Sequence, residues 1–213
     1  MSSSPGTAAA VRVAPPPQPA ETAPRPNGTE RMRADWEDRK LVSAYLRDRE
    51  EKAFRALYRR HTPVVFQFVL RLVGGRTAEA EEIIQTAWIR AAEKLEAFRW
   101  DSSLRTWLTG IALNCYREAV RRDRREGDTT SLDLQELPAA GRLHREIPRI
   151  DLERAIAQLP DGYREVLILH DIEGYTHDEI GSLMGIRNGT SKSQLSRARR
   201  AVRRWLGHSE EAR

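Results

Sequence analysis

The sequence predicts an all-α protein of two small helical domains, and three observations carry that expectation. From Asp35 to about Arg125 apolar residues recur at spacings of three and four, with few Gly or Pro and no strand-type alternation. From about Gly127 to Arg145 the stretch "GDTTSLDLQELPAAGRLHR" breaks that period and reads as a flexible linker. After it come at least four short helical patterns, punctuated by "LPDG", "EG" and "GIRNG". The first 30 or so residues, rich in Pro, Ala, Ser and Thr, hold almost nothing large enough to bury and are expected to stay disordered. The resulting division is a tail over 1–34, a helical domain over 35–125, a linker over 126–147, a second helical domain over 148–207 and a short tail over 208–213.

In the first domain Leu41, Tyr45 and Leu46 mark an opening helix. Phe54, Leu57, Tyr58, Val65, Phe68, Val69 and Leu72 mark a longer one, ended by Gly74 and Gly75. The third helix aligns Ile84, Trp88, Ala91, Leu95 and Phe98 on one stripe, while Glu82, Gln85 and Ile89 share another face. A fourth, "SSLRTWLTGIALNCYREAVRRDRR", is capped by Ser102 or Ser103 and ends in Arg117, Arg121, Arg122, Arg124 and Arg125.

Composition narrows the function classes. Apolar residues make up 39% and charged residues 31%, so the chain buries a core beneath a heavily charged surface. One cysteine, Cys115, excludes an internal disulfide framework and a multi-cysteine zinc site, and fits a reducing cytoplasm. The N-terminal stretch lacks a signal-peptide core, and no run of about 18 apolar residues could span a membrane. The net charge is +5, and its arrangement matters more than its size: basic residues cluster late.

The segment "HDIEGYTHDEI", His170 to Ile180, concentrates reactive side chains and raises the question of a metal or acid/base site. Its spacing argues against joint ligation, because His170 and Asp171 point about 100° apart on a helix that Gly174 should end before His177. "THDE" fits a capping box instead, with Thr176 and Glu179 satisfying each other's amides and Asp178 adding charge to the first turn. A metal-dependent hydrolase would need further His and Asp partners. The chain has five His, of which His61 and His208 lie in unrelated contexts. No metal site, cofactor or catalytic residue is assigned.

The capped helix runs through Ile180, Leu183 and Met184 to a turn at Gly185, and a second helix is expected from Thr190. Two short helices joined by a Gly-containing turn form a helix-turn-helix, whose second helix suits the DNA major groove. From Ile180 through Ser209 there is no acidic residue. Leu195, Ala198, Val202 and Leu206 form the buried stripe of the second helix. Ser193, Arg197, Arg200 and Arg204 lie opposite, with Lys192 and Ser196 at the edge. Early residues of that face should reach bases and the later Arg residues should hold phosphates, with Arg187 and Thr190 beside them at the helix start.

With these motifs in order, the chain resembles the group IV, or extracytoplasmic-function, sigma factors of the sigma-70 family of bacterial RNA polymerase, over about residues 37–124 and 149–206. "EAEEIIQTAWIRAAEKLEAFR" resembles the helix that such proteins lay against the clamp of the polymerase largest subunit, which implies Glu81, Glu82 and Gln85 as contacts. "FRWDSSLRTWLTGIALNCYREAVRR" resembles the segment that captures the unpaired minus-ten strand, implying Phe98, Trp100, Arg105, Asn114, Arg117 and Arg121. Aromatic, amide and basic groups suit an unpaired strand, whose base faces are open to stacking; Trp107 is expected to pack in the core instead. The family often has Gly where this chain has Trp100. The second domain resembles sigma region 4, which reads the minus-thirty-five duplex; "GTSKSQLSRAR" departs from the commoner "GTVKSRLHRAR" at Ser191, Gln194 and Ser196.

The resemblance implies a non-enzymatic, cytoplasmic initiation factor. Its expected partners are core RNA polymerase, through the clamp and flap regions, promoter DNA as duplex and melted strand, and an anti-sigma factor. A free-standing helix-turn-helix regulator is the alternative; it accounts for 176–206 but not for the clamp-like helix or the minus-ten segment.

Overall fold

The computed structural model describes residues 28–126 and 149–211, and within them the chain is helical with no strand. The expected tail before Gly28 and the expected linker beyond Glu126 lie outside the described residues. Four helices form the first unit: α1 (Gly28–Asp48), α2 (Glu51–Leu72), α3 (Thr77–Lys94) and α4 (Leu104–Glu126). The second unit holds α5 (Arg149–Ala157), α6 (Asp161–Leu167), α7 (His177–Met184) and α8 (Asn188–Glu211). Helix α1 starts upstream of the expected boundary at Asp35. The last proline of the tail is Pro26, and nothing after it stops a helix from propagating back to Gly28.

In the first unit α2, α3 and α4 pack around Phe68, Val69, Leu72, Ile84, Leu108 and Leu113, all buried. Trp88 packs against α2, its ring 5.7 Å edge-on from Phe54 and 5.1 Å from Tyr58. Gly74 and Gly75 end α2 with φ of 64° and 86°, a conformation that only glycine adopts freely. Ser103 starts α4: its Oγ accepts from the Thr106 amide at 3.1 Å.

The second unit begins with α5 and α6, and the latter widens into a π-helical turn at Ile168–Ile172 before Gly174 reverses the chain. Thr176 then caps α7. Its Oγ1 accepts from the Glu179 amide (3.3 Å), and its own amide donates to Glu179 Oε2 (2.7 Å), the reciprocal box expected from "THDE". Gly185 closes α7 at φ 67°, and the Ile186 amide returns to the Gly181 carbonyl at 3.1 Å, a Schellman ending. Helix α8 starts at Asn188, two residues before the expected Thr190, where Asn188 Nδ2 donates to Asp178 Oδ1 at 2.6 Å and ties the two helix starts together. Leu195, Ala198, Val202 and Leu206 are buried, as the stripe requires.

The two units share one hydrophobic core. Backbones approach closely across it: a Cβ placed on Gly74 would lie 3.2 Å from Ala157 Cβ, and one on Gly110 would lie 3.1 Å from Leu183 Cδ2. Polar clasps surround this contact. Arg164 donates to the Leu72 carbonyl (3.0 Å) and to Tyr116 Oη (3.1 Å), and Tyr175 Oη donates to Thr109 Oγ1 (3.2 Å).

Candidate nucleic-acid interface

The helix-turn-helix presents its second helix as the sequence pattern requires, apolar inward and cationic outward. Arg187, Thr190, Lys192, Ser193, Ser196, Arg197 and Arg200 are exposed, while Arg204 is partly covered. Arg197 lies near α6, donating to Tyr163 Oη at 3.3 Å. Arg199 is turned away from this set and holds Asp171 through two hydrogen bonds of 2.6 and 2.8 Å. Two of the three positions that depart from the commoner family pattern lie inside the fold. Ser191 is fully buried against His177, and Gln194 lies beside Gly162 of α6; Ser196 alone of the three faces solvent.

The His/Asp cluster is closer together than its spacing suggested. The π-helical turn and the reversal at Gly174 bring His170 and His177 into a stack, 4.6 Å between centroids, where a straight helix would have separated them. Each ring is nevertheless engaged locally: His170 Nδ1 with Asp171 Oδ1 (2.8 Å) and His177 Nδ1 with Ser191 Oγ (2.9 Å). Burial, followed by the neighbouring His170, Lys192 and Arg199, lowers the pKa of His177. Burial alone would raise that of Asp171, but its Arg199 and His170 hydrogen bonds win and hold it below the usual carboxylate range. Among the described residues no group of three or more His, Cys, Asp and Glu is arranged to hold a metal ion. His61 lies elsewhere, buried 3.1 Å from Asp38 between α1 and α2.

The minus-ten candidates divide between two faces of α4. Asn114 and Arg121, one heptad apart, point to solvent with the partly covered Trp107 above them. Arg105 and Arg117 point instead into the second unit. Arg105 pairs with Glu173 Oε2 at 2.9 Å, and Arg71 takes the other oxygen of that carboxylate at 3.0 Å. Arg117 holds Glu165 at 2.6 Å and reaches the Met184 carbonyl at 3.4 Å. Phe98 and Trp100 lie in the turn before α4. Phe98 stacks on Trp107 at 4.8 Å and tilts against Trp100 at 4.7 Å.

On α3, Glu81, Glu82, Gln85 and Ile89 are exposed, with Ile89 56% accessible despite its side chain. Glu82 and Gln85 edge a groove between α3 and α4, whose far wall carries Glu118 and Arg122 and which Arg90–Glu118 bridges at 2.6 Å. Sequence reasoning did not single out Arg71, Glu165, Glu173 or Arg39. Their roles depend on partners too distant in sequence for any helical period to reveal.

This fold and these surfaces define a two-unit helical DNA-reading protein. Comparison with known proteins narrows the class. Residues 57–126 match the family model of sigma-70 region 2, and residues 149–202 that of sigma-70 region 4. The chain is 31% identical to RNA polymerase sigma-H factor of Pseudomonas aeruginosa, over 82% of this chain and 96% of that protein. It is 30% identical to the ECF RNA polymerase sigma-E factor of Escherichia coli, over 72% and 86% respectively. Among solved structures it is similar to sigma factor RpoE of Bartonella quintana, determined with the anti-sigma factor NepR, at a TM-score of 0.58, 25% identity and coverage of 73% of this chain and 97% of that one. It also shares the fold of CnrH, determined with the cytosolic domain of CnrY, at a TM-score of 0.56, 22% identity and coverage of 81% and 97%. The chain belongs to the extracytoplasmic-function sigma factors of the sigma-70 family. It is a non-enzymatic transcription initiation factor, which binds core RNA polymerase and promoter DNA.

Proposed function

We propose that the first unit, 35–125, docks on core polymerase and captures the melted minus-ten strand, while the second, 148–207, reads the minus-thirty-five duplex, with the connection over 126–147 passing between them in the enzyme. The observation that carries this division is the outward cationic face of α8 over a buried stripe, together with a separate exposed Glu82–Gln85–Ile89 face on α3. On α8, Lys192, Ser193, Ser196 and Arg197 read bases, with Arg187, Thr190, Arg200 and Arg204 on phosphates and the helix start. In the first unit Phe98, Trp100, Arg105, Asn114, Arg117 and Arg121 hold the unpaired strand. Glu81, Glu82 and Gln85 meet the polymerase clamp. The protein acts in the cytoplasm; among the described residues no helix is long and apolar enough to cross a membrane. An anti-sigma factor is a further partner, supported by the solved relative held by one.

Promoter engagement then requires the packed units to separate. The two elements lie about 25 base pairs apart, ~85 Å at about 3.4 Å per step, whereas a compact body of this size is ~40 Å across. Separation also frees Arg105 and Arg117 from their carboxylates.

Binding to purified core polymerase tests the division of labour. Glu82→Ala or Gln85→Ala should weaken the complex about tenfold, a loss of ~1.4 kcal/mol, and leave binding of the isolated chain to duplex DNA unchanged. Arg197→Ala should do the reverse, losing about 1–3 kcal/mol of upstream-element recognition. Should Arg197→Ala change neither promoter affinity nor sequence preference, the assigned reading face is wrong.

A further inference from the structure

His177 joins the two helices of the helix-turn-helix. It is the first residue of α7, and its Nδ1 lies 2.9 Å from the Oγ of Ser191 in the opening turn of α8. Ser191 is fully buried, so its hydroxyl needs a partner within the protein. The commoner family pattern "GTVKSRLHRAR" has valine at this place, and valine offers an imidazole nothing to bond. The His177 ring also stacks on His170, 4.6 Å between centroids, and His170 Nδ1 meets Asp171 Oδ1 at 2.8 Å. Asp171 is held in turn by Arg199 of α8. The two rings therefore lie where the π-helical turn, α7 and α8 meet.

We infer that His177 positions the reading helix α8 through Ser191, and that its stack with His170 makes recognition of the duplex weaken as the solution turns acid. This rests on the reading of the preceding section, that α8 meets the minus-thirty-five duplex. Two stacked imidazoles accept one proton readily and the second at least about tenfold more weakly, because the second charge faces the first. Asp171 gives His170 a carboxylate partner for a proton, whereas His177 meets a hydroxyl. Burial first, then His170 and the Lys192 and Arg199 of α8, hold the His177 ring below the ordinary histidine range; Asp178 of α7 is the opposing charge. Asp178 is itself engaged, accepting from Asn188 Nδ2 at 2.6 Å. A ring that resists its proton in the ordered arrangement favours that arrangement above the ordinary histidine pKa of about 6.5, and the advantage is lost as pH falls below it. Once charged, His177 is repelled by His170, Lys192 and Arg199, and α8 loses the bond that sets its angle to α7. The sign separates this role from a simpler one. A histidine that only added charge to the reading face would tighten duplex binding in acid, by drawing phosphates.

The test uses holoenzyme formed from core polymerase and the full chain, with a promoter duplex that this holoenzyme selects from genomic fragments at about pH 7.5. Its affinity relative to the same duplex with a scrambled upstream element, followed from about pH 7.5 to 5.5, reports recognition apart from general charge. Wild type should lose about tenfold of this ratio across the range, the loss that a difference of about one pKa unit between free and bound forms produces. His177→Gln and Ser191→Val should each hold the ratio nearly constant, with unchanged circular dichroism showing that both remain folded. His170→Gln leaves one opposing charge fewer and should lose less than wild type. A ratio that stays constant or rises in wild type would overturn the inference, as would the wild-type loss persisting in His177→Gln. The full loss persisting in His170→Gln would overturn the part played by the stack. Helicity falling over the same pH range would assign the effect to unfolding and overturn the positioning role. If wild-type holoenzyme prefers no upstream sequence even at about pH 7.5, the reading of α8 itself fails, and the inference with it.

Discussion

At the scale of single residues, the contact between units turns on buried carboxylates. Glu165 is 3% exposed and Arg117 meets it through both Nε and a terminal nitrogen. Such a pair adds little against an apolar replacement of both members, but removing one leaves the other desolvated without compensation. Glu165 comes from the second unit and Arg117 from the first, so the effect should appear as loosening between units. We predict that Glu165→Ala keeps the helical content but loses about 2 kcal/mol of inter-unit stability, seen as faster amide hydrogen exchange across α6 and the middle of α4. Exchange at the wild-type rate would mean that the shared apolar core alone holds the units together. Tyr116 belongs to the same junction, its hydroxyl between Asp161 and Arg164, and burial pushes its pKa well above the ordinary tyrosine value.

At the scale of elements, local chemistry decided what could be read in advance. The Thr176 capping box, the Ser103 cap and the apolar stripe of α8 each depend on residues within four positions of one another, and each takes the expected form. The stacking of His170 on His177 escaped the same reasoning, because a π-helical turn is not signalled by apolar spacing. The pairing of Arg71 with Glu173, 102 residues apart, is equally invisible to a helical period. Consequently the basic cluster at the end of α4 was legible as a cluster but not as two faces, one open and one closed against the second unit. The turn of the helix-turn-helix offers a direct check. A Cβ on Gly181 would fall 2.8 Å from the Ile186 carbonyl oxygen, a backbone atom that cannot swing aside. Gly181→Ala should therefore cost about 1–3 kcal/mol and weaken duplex binding as the angle between α7 and α8 shifts. A thermal midpoint and duplex affinity equal to wild type would show that the turn relaxes freely.

For the whole molecule, a shared core and a ring of inter-unit ion pairs give a closed body too small to span both promoter elements. In the function proposed above, sigma activity couples binding of polymerase to opening of the protein, and the charges released on opening, Arg105 and Arg117, are among those proposed for the melted strand. The apolar period divides the sequence into two helical units, yet that division shows nothing of how the units fold back on each other. The most direct measurement sequences the 5′ ends of transcripts made on genomic DNA by core polymerase of the source bacterium, with and without this protein. Start sites that depend on the protein and share an upstream and a minus-ten element at fixed spacing are the predicted result. No protein-dependent start sites, or start sites with no shared element, would contradict the account.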